Sequence, residues 1–233
     1  FPYTTLFRSK NFIITSAQAL NNDTAALLGL NPSQLVGTLP DYDVTYKFNV
    51  PEAGHYNGVE FGYAQNFSFL PKPFNTLGLQ INGTLLSIDP INSNAVFSST
   101  DANLNRAVRE QINKTMEFSA VKRALNVTLS YSIGKLGMTI TSNYTGKVLK
   151  AFSQKTVKYT NVAANDYFNE LQYQAPRELV DVRLDYKFSR KLTPYFQARN
   201  IFARPIVMST STVPYNRAEY GDPIYELGVR GVW

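Results

Sequence analysis

The chain of 233 residues has no cysteine, one histidine (His55) and one tryptophan, its last residue, Trp233. Without cysteine there is no disulfide framework and no thiolate-held metal. A lone histidine leaves nothing from which to build a His-based metal centre or a nucleophile–His–acid set, so neither catalysis, a metal nor a cofactor is expected. Long hydrophobic runs are also missing. No window approaches the 18 uncharged apolar residues of a membrane-spanning helix, and mean hydropathy is −0.22. That test is blind to membrane strands, in which apolar and polar residues alternate. Basic residues outnumber acidic ones 23 to 17, giving +6 and a pI near 9.4, but they are scattered singly, with no basic run. No nucleic acid is therefore expected as a partner. Basic side chains at the rims of a membrane structure, facing anionic headgroups, account for the balance.

A secretory leader is absent too, so for an exported protein the N-terminal part is expected to be missing. The opening Phe1-Pro-Tyr-Thr-Thr-Leu-Phe-Arg-Ser9 resembles translated sequencing-adapter read-through and is set aside from fold reasoning; the other reading is an authentic strand end, since aromatics and Thr suit one.

What the chain has is aromatic residues, 15 Tyr and 15 Phe, set in period two. From Gly58 to Phe69, Val59, Phe61, Tyr63, Phe67 and Phe69 share a face opposite Glu60, Asn66 and Ser68. Leu77, Leu79, Ile81 and Leu85 oppose Gln80, Asn82 and Thr84. Val121, Leu125, Val127, Leu129, Tyr131 and Ile133 oppose Lys122, Asn126, Thr128, Ser130 and Ser132. Leu136, Met138, Ile140 and Tyr144 oppose Thr139, Thr141, Asn143 and Thr145. Val180, Val182, Leu184, Tyr186 and Phe188 oppose Asp181, Arg183, Asp185 and Lys187. Leu192, Phe196 and Phe202 oppose Thr193, Tyr195, Gln197 and Arg199. The last strand puts Tyr225, Leu227, Val229 and Trp233 against Glu226, Gly228 and Arg230, and a weaker one spans Asp41 to Val50. Short helices are allowed at Asn22 to Leu30 and Asn103 to Asn113.

Connection lengths alternate. Gly134-Lys135 is a two-residue loop with Gly first, which pairs Ile133 with Leu136 and Leu129 with Ile140. Facing residues lie on one side of a sheet, so the turn at Ser189-Arg190-Lys191 must have odd length, pairing Phe188 with Leu192; the turn at Pro71–Asn75 obeys the same parity. Between these tight turns lie long polar stretches, Asp89 to Ser119, Lys150 to Pro176 and Ala203 to Asp222, uncommon in a compact soluble domain. Short turns at one end and long loops at the other are the pattern of an outer-membrane barrel. The fold class is thus all-β: an antiparallel, up-and-down transmembrane β-barrel segment of about 7–8 long strands, forming an open curved sheet. The open edges are expected at the Gly58–Phe69 strand and the Ile224–Trp233 strand.

These residues resemble the C-terminal part of a TonB-dependent outer-membrane receptor. The resemblance is carried by Val182-Arg-Leu-Asp-Tyr-Lys-Phe188, then Thr193-Pro-Tyr-Phe-Gln-Ala-Arg-Asn-Ile-Phe-Ala-Arg-Pro205, then Tyr220-Gly-Asp-Pro-Ile-Tyr-Glu-Leu-Gly-Val-Arg-Gly-Val-Trp233. Tyr56-Asn-Gly-Val-Glu-Phe-Gly-Tyr-Ala-Gln65 and Asn143-Tyr-Thr-Gly146 add to it. It covers about residues 55 to 233, specific in combination and loose piece by piece. It implies that 10–233 is the C-terminal part of a receptor barrel in the bacterial outer membrane, with the plug domain, TonB box and earlier strands outside this sequence. It further implies TonB-energised uptake of a scarce nutrient of siderophore, cobalamin or glycan class, with outer-membrane lipid and lipopolysaccharide, the TonB complex and the barrel-assembly machinery as partners. A passive porin-type barrel and a soluble β-sandwich sugar-binding module are the other readings; the sandwich needs a second sheet over the apolar face.

Charge facing lipid at the bilayer midplane costs about 2–4 kcal/mol for Lys or Arg, so Asp181, Arg183, Asp185, Arg199, Glu226 and Arg230 are expected on the lumen side, paired with one another. Tyr63, Leu129, Ile140, Leu184 and Leu227 are expected on the lipid side. Arg123 breaks the apolar face near the long-loop end, where it can snorkel to headgroups. Recognition of an amphipathic small nutrient falls to loop aromatics and their hydrogen-bonding neighbours: Tyr159, Tyr167, Phe168 and Tyr173 in one loop, Tyr215, Arg217 and Tyr220 in the last. The same side chains also suit simple loop packing or an aromatic girdle. The strand bearing Tyr225, Leu227, Val229 and Trp233 is the expected contact for barrel assembly.

Overall fold

The computed structural model describes residues 3–9, 12–19, 22–27, 29–34, 43–50, 54–89, 102–158 and 165–231. The fold is nearly all β and antiparallel. In chain order the strands are β1 (Tyr3–Ser9), β2 (Phe12–Ala19), β3 (Asp43–Val50), β4 (Gly54–Asn66), β5 (Gly78–Asp89), β6 (Arg123–Ile133), β7 (Leu136–Thr145), β8 (Val148–Lys158), β9 (Asn165–Gln174), β10 (Arg177–Tyr186), β11 (Leu192–Arg199), β12 (Ile206–Thr210), β13 (Arg217–Glu219) and β14 (Ile224–Gly231). Two α-helices, α1 (Asn22–Leu27) and α2 (Ala102–Thr115), lie in connections.

The main sheet has eight strands in the order β1-β4-β5-β6-β7-β10-β11-β14, and β14 does not pair back to β1, so the sheet is open. Its register is the one that turn length and parity require. Gly134 takes a φ of 57°, which a β-carbon resists, and Ile133 faces Leu136 with Leu129 facing Ile140. Across β10 and β11, Arg183 faces Gln197 and Leu184 faces Phe196, and the Ser189 amide donates to the Leu192 carbonyl at 3.1 Å. Rows of like character then run across the sheet. Leu79, Leu129, Ile140, Val182, Ala198 and Tyr225 form one row; Gln80, Thr128, Thr141 and Asp181 form a row on the opposite face.

Four sequence expectations are corrected. First, β4 is not an edge: β1 pairs along it from Tyr3↔Glu60 to Ser9↔Gly54, so the edges are β1 and β14. Second, β4 ends at Asn66, because the chain turns at Phe67, whose carbonyl accepts the Leu70 amide at 3.0 Å; Phe67 and Phe69 meet edge to face in that turn. Third, the strand at 43–50 pairs with β2 in a separate two-stranded ladder. Fourth, β11 ends at Arg199, since Asn200 (φ 51°) enters the left-handed region, and this places Phe202 outside the strand.

The long loops are not structureless. A second sheet has the order β13-β12-β9-β8, which repeats the order β14-β11-β10-β7 of the strands each follows or precedes in sequence. It is an upper storey in which the same four strands resume after a break. The breaks fall at Gly146-Lys147, Ala175-Pro176, Asn200 to Pro205 and Tyr220 to Pro223, and three of the four hold a proline, which cannot donate to a ladder. One face of this storey carries Asn169, Leu171 and Tyr173, and α2 packs on it. Ile112 and Met116, one helical turn apart, are buried with Val148, Leu149 and Leu171. Among the described residues, most of the buried apolar side chains lie in this loop module or beside it.

Candidate functional site

The short turns converge at one end of the main sheet. The Thr76 hydroxyl donates to the Ser132 carbonyl, and the Lys187 amide donates to the Lys135 carbonyl at 2.8 Å, which ties all three turns together. Above them, on the polar face, a concavity of about 330 Å³ is lined by Ser130, Ser132, Thr139, Asp185, Thr193 and Arg230 among others. The polar face thus carries the hollow above the turns.

The charged ladder predicted on that face is internally paired. Arg183 donates through Nε and Nη2 to Asp185 at 3.0 Å and lies 4.2 Å from the centroid of the Tyr195 ring. Tyr195 donates to Glu226 at 2.6 Å, and Arg199 reaches the other oxygen of that carboxylate at 2.9 Å. Arg230 lies 3.8 Å from Asp185. The Tyr195 ring lies over Gly228, its cross-strand neighbour, where any β-carbon would collide with it. Asp181 has a different role: its carboxylate accepts the Asn200 amide at 2.9 Å. Asn200 in turn accepts the Arg204 amide at 2.9 Å and donates to the Gly221 carbonyl at 3.1 Å. These bonds seat the start of the last two loops on the wall.

The opposite face is bare. Tyr63 is 51% exposed, Val229 62% and Leu227 83%. Phe196 and Tyr225 stack on it at 6.2 Å. No second layer covers this face among the described residues, which removes the support a soluble sandwich requires.

Near the loop end, the polarity of both faces exchanges. On the outer face Val59 gives way to Asn57, Leu85 to Ser87, Leu125 to Arg123, Ile140 to Ser142 and Val180 to Glu178. There Asn57 donates to Asp89 at 3.0 Å and Ser142 to Glu178 at 2.7 Å. On the hollow face Tyr56, Leu86 and Ile88 stand where the strands below carry Glu60, Thr84 and Asn82. Along β6 the outer apolar run from Leu125 to Ile133 covers roughly 27 Å at about 3.4 Å per residue. Before tilt this matches the roughly 25 Å apolar band of an outer-membrane barrel.

The loop aromatics divide into two groups. Tyr173 lies in β9, half-buried, with the Lys147 ammonium 3.9 Å from its ring centroid, and desolvation raises its pKa. Tyr167 and Phe168 are in the same strand, and Phe168 is half-buried. Tyr215 and Tyr220 are each 81% exposed and flank β13, where Arg217 pairs with Glu219. Tyr159 and Trp233 lie outside the described residues. Tyr225, Leu227 and Val229 line the outer face of β14. His55 faces Asp89 across the β4–β5 ladder. Among the described residues no group of three acidic or imidazole side chains is placed to hold a metal ion.

Sequence reasoning missed the loop module and its polar fastening. Glu117, just past α2, bonds Lys114 at 3.0 Å and Lys122 at 3.1 Å. Burial pushes its carboxyl up, and the two ammonium groups outweigh this, so the pKa is lowered overall. The only legible signal was the alternating charge of Lys114, Glu117 and Lys122 around a stretch expected to be loop.

The fold is an open, two-faced antiparallel sheet with tight turns at one end and a folded loop module at the other. No protein-family model matches the sequence, and no curated protein does. Among solved structures the chain is similar to P. aeruginosa FpvA bound to a heterologous pyoverdine with iron, with a TM-score of 0.50 and 16% identity over 99% of this chain and 24% of that one. It also matches the structure of the FpvAI–pyocin S2 complex, with a TM-score of 0.46, 16% identity and the same coverage of 99% and 24%. At this identity the likeness to FpvA shows the fold, a receptor-like β fold. The chain spans about a quarter of the length of these structures.

Proposed function

We propose that this chain is barrel wall and outer loops of a TonB-dependent receptor in the bacterial outer membrane, taking up a scarce nutrient of siderophore, cobalamin or glycan class. The observation that carries the reading is the bare apolar band on one face, bounded by tied tight turns below and by the exchange of polarity above. In water such a face would be an aggregation surface; in lipid it is the required one. The likeness to FpvA, solved with an iron–pyoverdine complex, supports the fold behind the reading.

The charged network of Arg183, Asp185, Tyr195, Arg199, Glu226 and Arg230 lines the lumen, and its internal pairing makes it a hydrated wall rather than a binding ladder. Ligand contact falls to Tyr215, Arg217 and Tyr220, which project from the last loops, with Phe168 and Tyr173 packing the upper storey beneath them and Tyr167 in the same strand. Tyr225, Leu227 and Val229 present the edge strand to lipid and to the assembly machinery. The plug and its TonB contact belong to sequence outside this chain. Residues Phe1–Ser9 remain assigned to adapter read-through: a β-prone segment laid along the free edge of β4 forms a ladder whatever its origin, and sequencing the genomic locus tests the assignment.

Uptake by the full-length protein, followed with a panel of labelled iron–siderophore, cobalamin and oligosaccharide ligands, tests the function. One ligand should be taken up, and collapse of the proton motive force should abolish its transport while leaving its binding. Transport that persists without the proton motive force would identify a passive porin instead.

A further inference from the structure

We propose that the C-terminal end of α2 is a strap seated on the inner wall of the barrel mouth, where it limits the size of solute that reaches the polar wall below; this rests on the barrel reading above. Beneath this strap the hollow face changes character. Glu60, Thr84 and Asn82 are replaced, further toward the loop end on the same face, by Tyr56, Leu86 and Ile88. An apolar patch on a water-filled wall is unfavourable unless something covers it. Ile88 is 9% exposed, and the Tyr56 hydroxyl donates to the Met116 carbonyl at 2.8 Å, so the cover is the end of α2. Met116 itself is 1% exposed.

Polar fastening completes the seat. Glu117 is held from its own helix by Lys114 and from the entry to β6 by Lys122, whose carbonyl also accepts the Leu86 amide at 2.8 Å. From there the chain crosses to the upper storey, the Ser119 amide donating to the Leu149 carbonyl at 2.8 Å. A helix held at its end by one hydroxyl, one carboxylate and a small apolar seat can be loosened without dismantling the wall.

The test places a cysteine at Asn82, exposed on the hollow face below the seat, in the full-length protein on intact cells. Two membrane-impermeant maleimides are compared, one small and one carrying a bulky polymer. With the native strap the small reagent should label position 82 much faster than the bulky one. In the double variant Tyr56→Phe, Glu117→Gln the bulky reagent should gain about tenfold, the scale of losing a charge-assisted hydrogen bond, with the small reagent's rate unchanged. The milder Lys122→Gln, which leaves the strap's own residues intact, should give a smaller gain in the same direction. No gain for the bulky reagent in either variant overturns the strap. Equal gains for both reagents also overturn it, since they report general loosening. Labelling of position 82 only by a lipid-soluble maleimide places it on the lipid face and sinks the barrel reading itself.

Discussion

At Asn200 a left-handed backbone (φ 51°) coincides with three hydrogen bonds, to Asp181, Arg204 and Gly221. Asparagine tolerates this region better than other residues with a β-carbon, and its amide can bond the local backbone. Replacing it by Gly should keep the turn and lose the side-chain bonds, whereas Ala loses both. Denaturant unfolding of the full-length protein in lipid vesicles should therefore rank wild type above Asn200→Gly above Asn200→Ala, with the Ala variant down by roughly 1–3 kcal/mol. Ala above Gly in that series would remove the conformational argument. Glu117 yields a pH prediction. Its carboxyl is held below the ordinary value by Lys114 and Lys122 against the cost of burial, with the Tyr173 hydroxyl also nearby. A depressed carboxylate contributes stability above its unfolded pKa and loses that contribution as pH falls through the folded value. Exchange of the Ser119 amide should hence be slow and pH-independent in stability terms near neutrality, and should accelerate only once the pH falls below the ordinary glutamate range. Glu117→Gln should remove the acid-induced step; an undiminished step would assign it elsewhere.

At the scale of elements, the tight turns and the upper storey must lie on opposite sides of the membrane if the polarity exchange marks its outer boundary. A protease added to intact cells carrying the full-length protein should cut within the long loops, Asp89 to Ser119, Lys150 to Pro176 or Ala203 to Asp222, and spare Lys135 and Arg190. Cleavage at Lys135 without lysis of the outer membrane would invert the topology. The upper storey itself shows why strand period alone underestimates these loops. Val148 and Leu149 are adjacent and both buried, because the β8–β9 ladder carries a bulge between Leu149 and Ala151. A bulge shifts the register by one residue and erases the alternation from which a strand is read. The prolines between the storeys, which read as loop signals, mark interruptions within longer strands.

On the scale of the whole molecule, the sheet has two free edges, β1 and β14, beside a bare apolar face. Both features favour association with further strands or with lipid. Purified alone, the chain should require detergent and should aggregate when it is removed; a monodisperse monomer in plain buffer would contradict the membrane reading. The expectation of an open sheet held, and the eight strands leave their edges apart. In the charged network around Asp185 and Glu226, long paired side chains such as Arg199 and Arg230 remain 50% and 64% exposed.

Alternation and loop length alone fixed the two faces of each long strand, the register of the hairpins at Gly134-Lys135 and Ser189–Lys191, and the parity of the one at Pro71–Asn75. Period-two alternation admits no intermediate, and loop length sets parity, so the pairings from Ile133↔Leu136 to Arg183↔Gln197 were readable in advance. The sequence also carried the expectation that the charges on β10, β11 and β14 would pair among themselves, since all stand on the same face of three neighbouring strands. The tertiary structure was needed to show where α2 packs, that Tyr56 bonds the end of that helix, and that Glu117 joins Lys114 to Lys122. Those contacts link residues tens of positions apart, and no local pattern encodes which distant segment will cover an apolar patch.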